Sequence, residues 1–140
     1  MNSDSSPSPA PHDPLAEGAI FPTIGEAGFT RLIAAFYARV RSDSLLGPMY
    51  PAEDWEGSER RLRDFLLFRF GGSDRYIHER GHPRLRMRHA PFAVTLAARN
   101  RWIELMEAAL VEAELPLTVA AALRQFFHTT ATFMINQDGR

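Results

Sequence analysis

The sequence contains no cysteine and no lysine. Without cysteine there is no disulfide, no zinc–thiolate site, no iron–sulfur cluster and no thioether anchor for a prosthetic group. The absence of cysteine also agrees with a reducing compartment, so a cytoplasmic location is expected. All sixteen basic residues are arginine. As a bulk property this is what a GC-rich genome produces, so only the positions of individual guanidinium groups carry chemical meaning. Charge of one sign is lacking as well: the formal net charge is -1, with 45% apolar residues, which leaves no pull toward nucleic acid or a membrane surface. No apolar run reaches the length of a secretory or membrane-spanning segment. Residues 1–20 are rich in Ser, Pro and Ala and bury too little apolar surface to offset the entropy of ordering, so a disordered tail is expected, with one domain over residues 21–140. No stretch alternates with period two, so strands are not expected, and no internal repeat is found.

Helical periodicity fills the space those absences leave. Phe29, Leu32, Ile33, Phe36 and Val40 recur at spacings of three and four, which predicts one apolar helical stripe. The segment from Asp43 to Pro51, with Gly47-Pro48, interrupts it. A second helix is predicted from Ser58 to Phe70, with Leu62, Phe65 and Leu66 inward, and Gly71-Gly72 ends it. A short helical piece spans Asp74 to Glu79. Thr95 is the expected N-cap of a long helix reaching Ala113. Pro116 separates this from a last helix whose stripe is Val119, Leu123, Phe126, Phe127 and Met134. The fold class is therefore all-α.

The stretch from Gly81 to Phe92 carries the chemistry. It sets His89 at the end of a segment containing Arg84, Arg86 and Arg88, just before Pro91 and an apolar run. An imidazole facing an apolar space with guanidinium groups beside it suits a haem, the ring nitrogen on iron and the arginines toward the propionate carboxylates. The residues alone leave a purely structural histidine open. Of the five histidines, His12 falls in the tail, and His128, beside Phe126 and Phe127, reads as a structural histidine. Tyr37, Tyr50 and Trp102 are polar aromatics in apolar helical text. Each alone reads as a core residue with its polar tip bonded to backbone. Trp55 and Phe68 read as packing.

His78-Glu79-Arg80-Gly81-His82 spells the zinc-peptidase signature H-E-x-x-H, whose chemistry needs both histidines on one face of a continuous helix. Gly81 weakens a helix at that point and Pro83 disfavours helical geometry at His82, so both histidines are expected in loop.

From Phe21 to Asn136 the chain resembles the truncated haemoglobins, and among them the second group. The residues that carry the resemblance are Phe36-Tyr37, Tyr50-Pro51, Arg61-Leu62, Gly71-Gly72, the Gly81-to-Phe92 block and Trp102. The resemblance implies a two-over-two helical sandwich around a non-covalent haem b, iron protoporphyrin IX, with His89 as proximal iron ligand. It implies Tyr37, Tyr50 and Trp102 as a distal hydrogen-bonding cluster and Ser58 at a distal gate. Leu62 is implied over the iron, Phe65 and Leu66 along the haem, and Arg88, then Arg84 and Arg86, as propionate partners. Where the family usually carries Gly-Gly in its first short helix, this chain has Gly25-Glu26, and its leading tail is longer.

The function implied is reversible binding of dioxygen, with carbon monoxide and nitric oxide as further ligands, for oxygen transport or retention. Several donors aimed at one ligand slow its release, because each bond to a charged acceptor is worth ~1.5–3 kcal/mol, roughly tenfold or more in rate. The alternative from another class is a haem redox enzyme acting as a nitric oxide dioxygenase or peroxidase, with a reductase as partner. A third class is a haem-free helical interaction module. Nucleic acid and membrane are not expected as partners, and a homodimer stays open.

Overall fold

The computed structural model describes residues 14–89 and 93–136, the side chains of residues 14–17 and of Arg86 excepted. Six α-helices and one 3-10 turn follow one another, and no strand occurs among the described residues. Helix α1 covers Pro14–Arg41, α2 Trp55–Arg69, α3 Arg75–Arg80, α4 Leu85–Arg88, α5 Leu96–Ala113 and α6 Leu117–Phe133, with the 3-10 turn at Gly47–Met49. None of these helices is long and apolar enough to cross a membrane.

Helix α1 begins earlier than its apolar periodicity indicates. Residues 14–20, expected as the end of a tail, are helical, and Ile20 is fully buried in the core. The helix is two stretches that meet at Gly25, where φ is 63° and ψ is -177°. An L-residue with a side chain avoids that region, so a glycine is required there. Glu26, which stands where a second glycine is usual, adopts the ordinary helical backbone and reaches Arg75 at 2.9 Å. One glycine is enough for the bend, and the neighbouring position is free to pin α3. The predicted stripe of Phe29, Leu32, Ile33, Phe36 and Val40 is entirely enclosed. Truncating one such ring, Phe29 or Phe36, to alanine costs about 3–5 kcal/mol in transfer and cavity terms.

The corner after α1 is fastened by Asp43. Its buried carboxylate accepts the backbone N–H groups of Leu45 at 3.1 Å and Leu46 at 2.9 Å, and Arg101 Nε of α5 at 2.5 Å. The Leu46 N–H holds this carboxyl below its ordinary range; burial opposes the shift, and Arg101 and the Leu45 N–H add to it.

Helix α2 starts at Trp55 rather than Ser58, because Asp54 caps it by accepting the Gly57 N–H at 3.1 Å. Helix α5 has the expected bounds, with the Thr95 hydroxyl accepting the Ala98 N–H at 3.0 Å. Helices α1 and α2 form one layer and α5 and α6 the other, with α1 packed on all three. Rings knit the layers: Phe36 meets Trp102 at 4.9 Å and Phe70 meets Phe126 at 5.1 Å between centroids. Arg75 pins α3 by bridging Glu26 of α1 and the buried Asp64 of α2, the latter at 3.5 Å.

Candidate functional site

The layers do not close over the segment between α3 and α5. There the fold leaves a cavity of about 390 Å³, walled mainly by apolar side chains. Leu62, Phe65 and Leu66 line it from α2, and Phe126, Phe127 and Met134 from α6 and the residue after it. All three predicted α2 residues face this space, as do His89, Tyr37, Tyr50, Trp102 and Ser58.

His89 closes the short helix α4, with its backbone N–H on the Leu85 carbonyl at 3.1 Å. Its ring Nδ1 lies 2.8 Å from the same oxygen. A carbonyl can only accept, so Nδ1 carries the proton, and in the neutral ring the lone pair sits on Nε2. This is the arrangement by which a backbone oxygen fixes the tautomer and direction of a metal-binding imidazole.

The arginines divide in a way the charge run did not indicate. Arg88 lines the cavity, but its guanidinium also folds back onto the backbone. It donates to the carbonyls of Pro83 at 2.6 Å, His82 at 3.0 Å and Arg80, and lies 5.9 Å over the Tyr76 ring. Arg84, with left-handed backbone at φ 43°, is exposed and does not line the cavity. The Arg86 side chain lies outside the described residues. Among the described side chains, the other guanidinium groups on the wall are Arg61, Arg80 and Arg99; Arg61 entered the sequence reading only as part of the resemblance, and none of the three as a site residue. Arg99 precedes Trp102 by three residues on α5 and Arg61 follows Ser58 by three on α2, so helical spacing was the signal available for both.

Three polar aromatics on the same wall, Tyr37, Tyr50 and Trp102, gather into one unit. The Tyr50 phenol lies near the polar tips of Trp102 and Tyr37, both of which act on its ionisation. The sequence alone suggested separate tips bonded to backbone; instead they are gathered around one phenol. The Tyr37 and Tyr50 rings meet edge to face at 5.6 Å, and Trp55 stacks on Tyr50 at 5.5 Å with Arg41 over its other side at 5.4 Å. Trp55 is thus packing that steadies the cluster. Burial pushes the Tyr37 phenol well above its ordinary range, and the Tyr50 charge and hydrogen bond add to that. Burial also raises Tyr50, against the opposing hydrogen bonds from Trp102 and Tyr37. Both phenols therefore keep their protons at neutral pH. Ser58, buried on α2, receives a 3.4 Å bond from Arg61, which also pairs with Asp54 at 3.2 Å.

The histidines of the H-E-x-x-H string are separated by the end of a helix. α3 stops at Arg80, Gly81 turns at φ 77°, and His82 follows outside it as expected, whereas His78, also expected in loop, lies inside α3 and pairs with Asp74 at 3.0 Å. His128 is held by Glu107 at 2.9 Å and lies 3.3 Å from Arg99, a structural role on the back of α6.

A two-layer helical sandwich with an imidazole, guanidinium groups and an aromatic donor cluster around one apolar cavity is the architecture of a globin. Residues 19–136 match the bacterial-like globin family, and the chain belongs to it, among the truncated hemoglobins of group II. It is 35% identical over 119 residues to the group 2 truncated hemoglobin YjbI of Bacillus subtilis (strain 168), a match spanning 85% of this chain and 89% of that protein. Among solved structures it is similar to the hemoglobin of the thermophilic phototrophic bacterium Chloroflexus aurantiacus. That match has 44% identity, a TM-score of 0.81, and covers 84% of this chain and 98% of the other. The group II truncated hemoglobin of Bacillus anthracis aligns with 30% identity and a TM-score of 0.81, over 86% and 92% of the two chains. The expected fold class, an all-α truncated globin, is therefore established. Membership of this family implies haem, and the cavity's donor set fits one: an Nε2 lone pair, apolar walls, guanidinium groups and neutral polar aromatics, all lining the same space.

Proposed function

We propose that the chain holds a b-type haem non-covalently in this cavity, with His89 Nε2 as the single protein ligand, and binds dioxygen reversibly beside Tyr37, Tyr50 and Trp102. The observation that carries the reading is the 2.8 Å contact between His89 Nδ1 and the Leu85 carbonyl, which presents the opposite nitrogen as a lone-pair donor. When bound, haem would supply an iron that His89 would hold and that would bind a diatomic ligand. The absence of cysteine makes the attachment non-covalent.

The chain's own residues then do three things. His89 donates its lone pair from a ring whose rotation is restrained by Leu85. Leu62, Phe65 and Leu66 exclude water along the flat faces of the site. Arg88, with Arg61, Arg80 and Arg99 on the same wall, supplies positive charge for the two propionates. With Tyr37 and Trp102 both beside the Tyr50 oxygen, its own proton is the one this reading assigns to a ligand in the cavity. Ser58, reached by Arg61 at 3.4 Å, takes the gate position. Neutral donors held this rigidly favour retention of oxygen over rapid delivery.

The test is a visible absorption spectrum of the purified protein after stoichiometric haemin, reduced and then exposed to oxygen and to carbon monoxide. A Soret band that moves with each gas is expected. No Soret band after haemin addition would remove the haem reading.

A further inference from the structure

Beyond α6 the chain makes a connection that the site described so far does not use. Asn136 Oδ1 accepts the Val94 N–H at 2.9 Å, and its own backbone N–H donates to the Val94 carbonyl at 2.9 Å. Its Nδ2 donates to the carbonyl oxygen of His89 at 3.2 Å. The backbone partners fix which end of the amide is oxygen and which nitrogen, because an N–H only donates and a carbonyl only accepts. One side chain therefore grips both ends of the segment from His89 to Val94, whose residues 90–92 lie outside the described residues.

We propose that Asn136 is a positioning residue for the His89 imidazole. The reasoning rests on the reading of His89 as axial ligand. The ring is restrained at two points. Leu85 holds Nδ1 from within α4, while Asn136 holds the peptide carbonyl that leaves His89, where the backbone turns out of the helix at φ -94° and ψ -2°. If the carbonyl is released, that peptide plane can rotate. The Cα–Cβ bond of His89 then shifts, and with it the angle at which Nε2 meets the iron. Asn136 touches neither the haem nor the ligand in this scheme; it acts through the backbone of His89 and through Val94, which itself lines the cavity.

Two variants separate the arms of the clamp. Asn136→Asp keeps an oxygen for the Val94 N–H and removes the N–H that serves the His89 carbonyl. Asn136→Ala removes both. Each is loaded with haem, its haem content measured, and the iron–histidine stretching band recorded by resonance Raman on the ferrous ligand-free protein. Haem transfer to excess apomyoglobin is timed alongside. Both variants are expected to take up haem fully and to show a displaced or broadened iron–histidine band, with haem loss roughly two- to tenfold faster, the effect of one neutral hydrogen bond. A residue that only ties down the end of the chain would lower thermal stability and leave the band in place. An unmoved band in Asn136→Asp overturns the proposal, and it decides the matter even where Asn136→Ala fails to fold. The underlying reading fails differently: wild-type protein that forms no Soret band, or an iron–histidine band that survives in His89→Ala, removes His89 as ligand and the proposal with it.

Discussion

Replacing Tyr50 by phenylalanine tests the cluster at its centre. The substitution keeps the ring that packs against Tyr37 and Trp55 and deletes one oxygen. In the proposed cluster that oxygen is the acceptor Tyr37 and Trp102 share, so its loss would take one acceptor from both. Tyr37 is only 4% exposed, which leaves little access to water as a substitute. An unsatisfied buried donor costs about 1–3 kcal/mol, and in a domain of this size each kcal/mol lowers Tm by roughly 3–5 °C. A drop of about 3–15 °C is therefore expected. Loss of the Tyr50 proton from the ligand should speed oxygen release by about 10- to 150-fold, the equivalent of ~1.5–3 kcal/mol. The gain is smaller where the released Tyr37 or Trp102 group turns toward the ligand in its place. That compensation has its own signature. Trp102→Phe and Tyr50→Phe should be non-additive in the double variant, because they share one bond. The assay is oxygen displacement by carbon monoxide in a stopped-flow instrument, with thermal unfolding of the same samples. Unchanged release and unchanged Tm in Tyr50→Phe, or strict additivity of the pair within about 0.5 kcal/mol, would refute the shared-oxygen cluster.

Three further outcomes follow from other parts of the molecule. His89→Ala should lose most of its haem, read as absorbance per protein, and added imidazole should restore part of it; full haem content without imidazole would remove the assignment. Asp43→Ala should cost about 1–3 kcal/mol at neutral pH in urea titrations, since two backbone N–H groups and Arg101 lose their acceptor. Because the Asp43 carboxyl is held below its unfolded value, its contribution is complete above about pH 4 and fades as pH falls through the folded value. The gap between wild type and variant should narrow toward acid; a gap constant with pH would contradict the linkage. Gly25→Ala should cost about 1–3 kcal/mol through the backbone alone, because a Cβ there meets no atom within 4 Å while φ is 63°. An equal Tm for this variant would show that the bend relaxes freely.

Much of the fold was legible in the sequence because helices announce themselves locally. The α5 bounds follow from Thr95 and the apolar stripe, and the last helix from Pro116 onward. The α1 start was missed because Pro14 to Gly18 has a loop-like composition, while Ile20 is enclosed by contacts made elsewhere in the chain. The site was legible as a set of residue types and not as a set of bonds. Tyr37, Tyr50 and Trp102 come from α1, the following corner and α5, and nothing local says that their polar tips meet. The charge run likewise could not tell Arg88, folded onto three carbonyls at the cavity wall, from Arg84, exposed beside it. Asn136 lies beyond the last apolar stripe, where periodicity has no more to say.

Helix α1 packs on α2, α5 and α6, whereas α3 is held chiefly by α2 and by the Arg75 bridge. The cavity consequently has a hard wall and a soft one. Amide protons of α1, α5 and α6 should exchange only through global unfolding, and those of α3 and α4 through smaller openings that leave the rest of the sandwich standing. A prosthetic group as broad as the cavity can then enter and leave without the protein coming apart, through the one flank that opens locally.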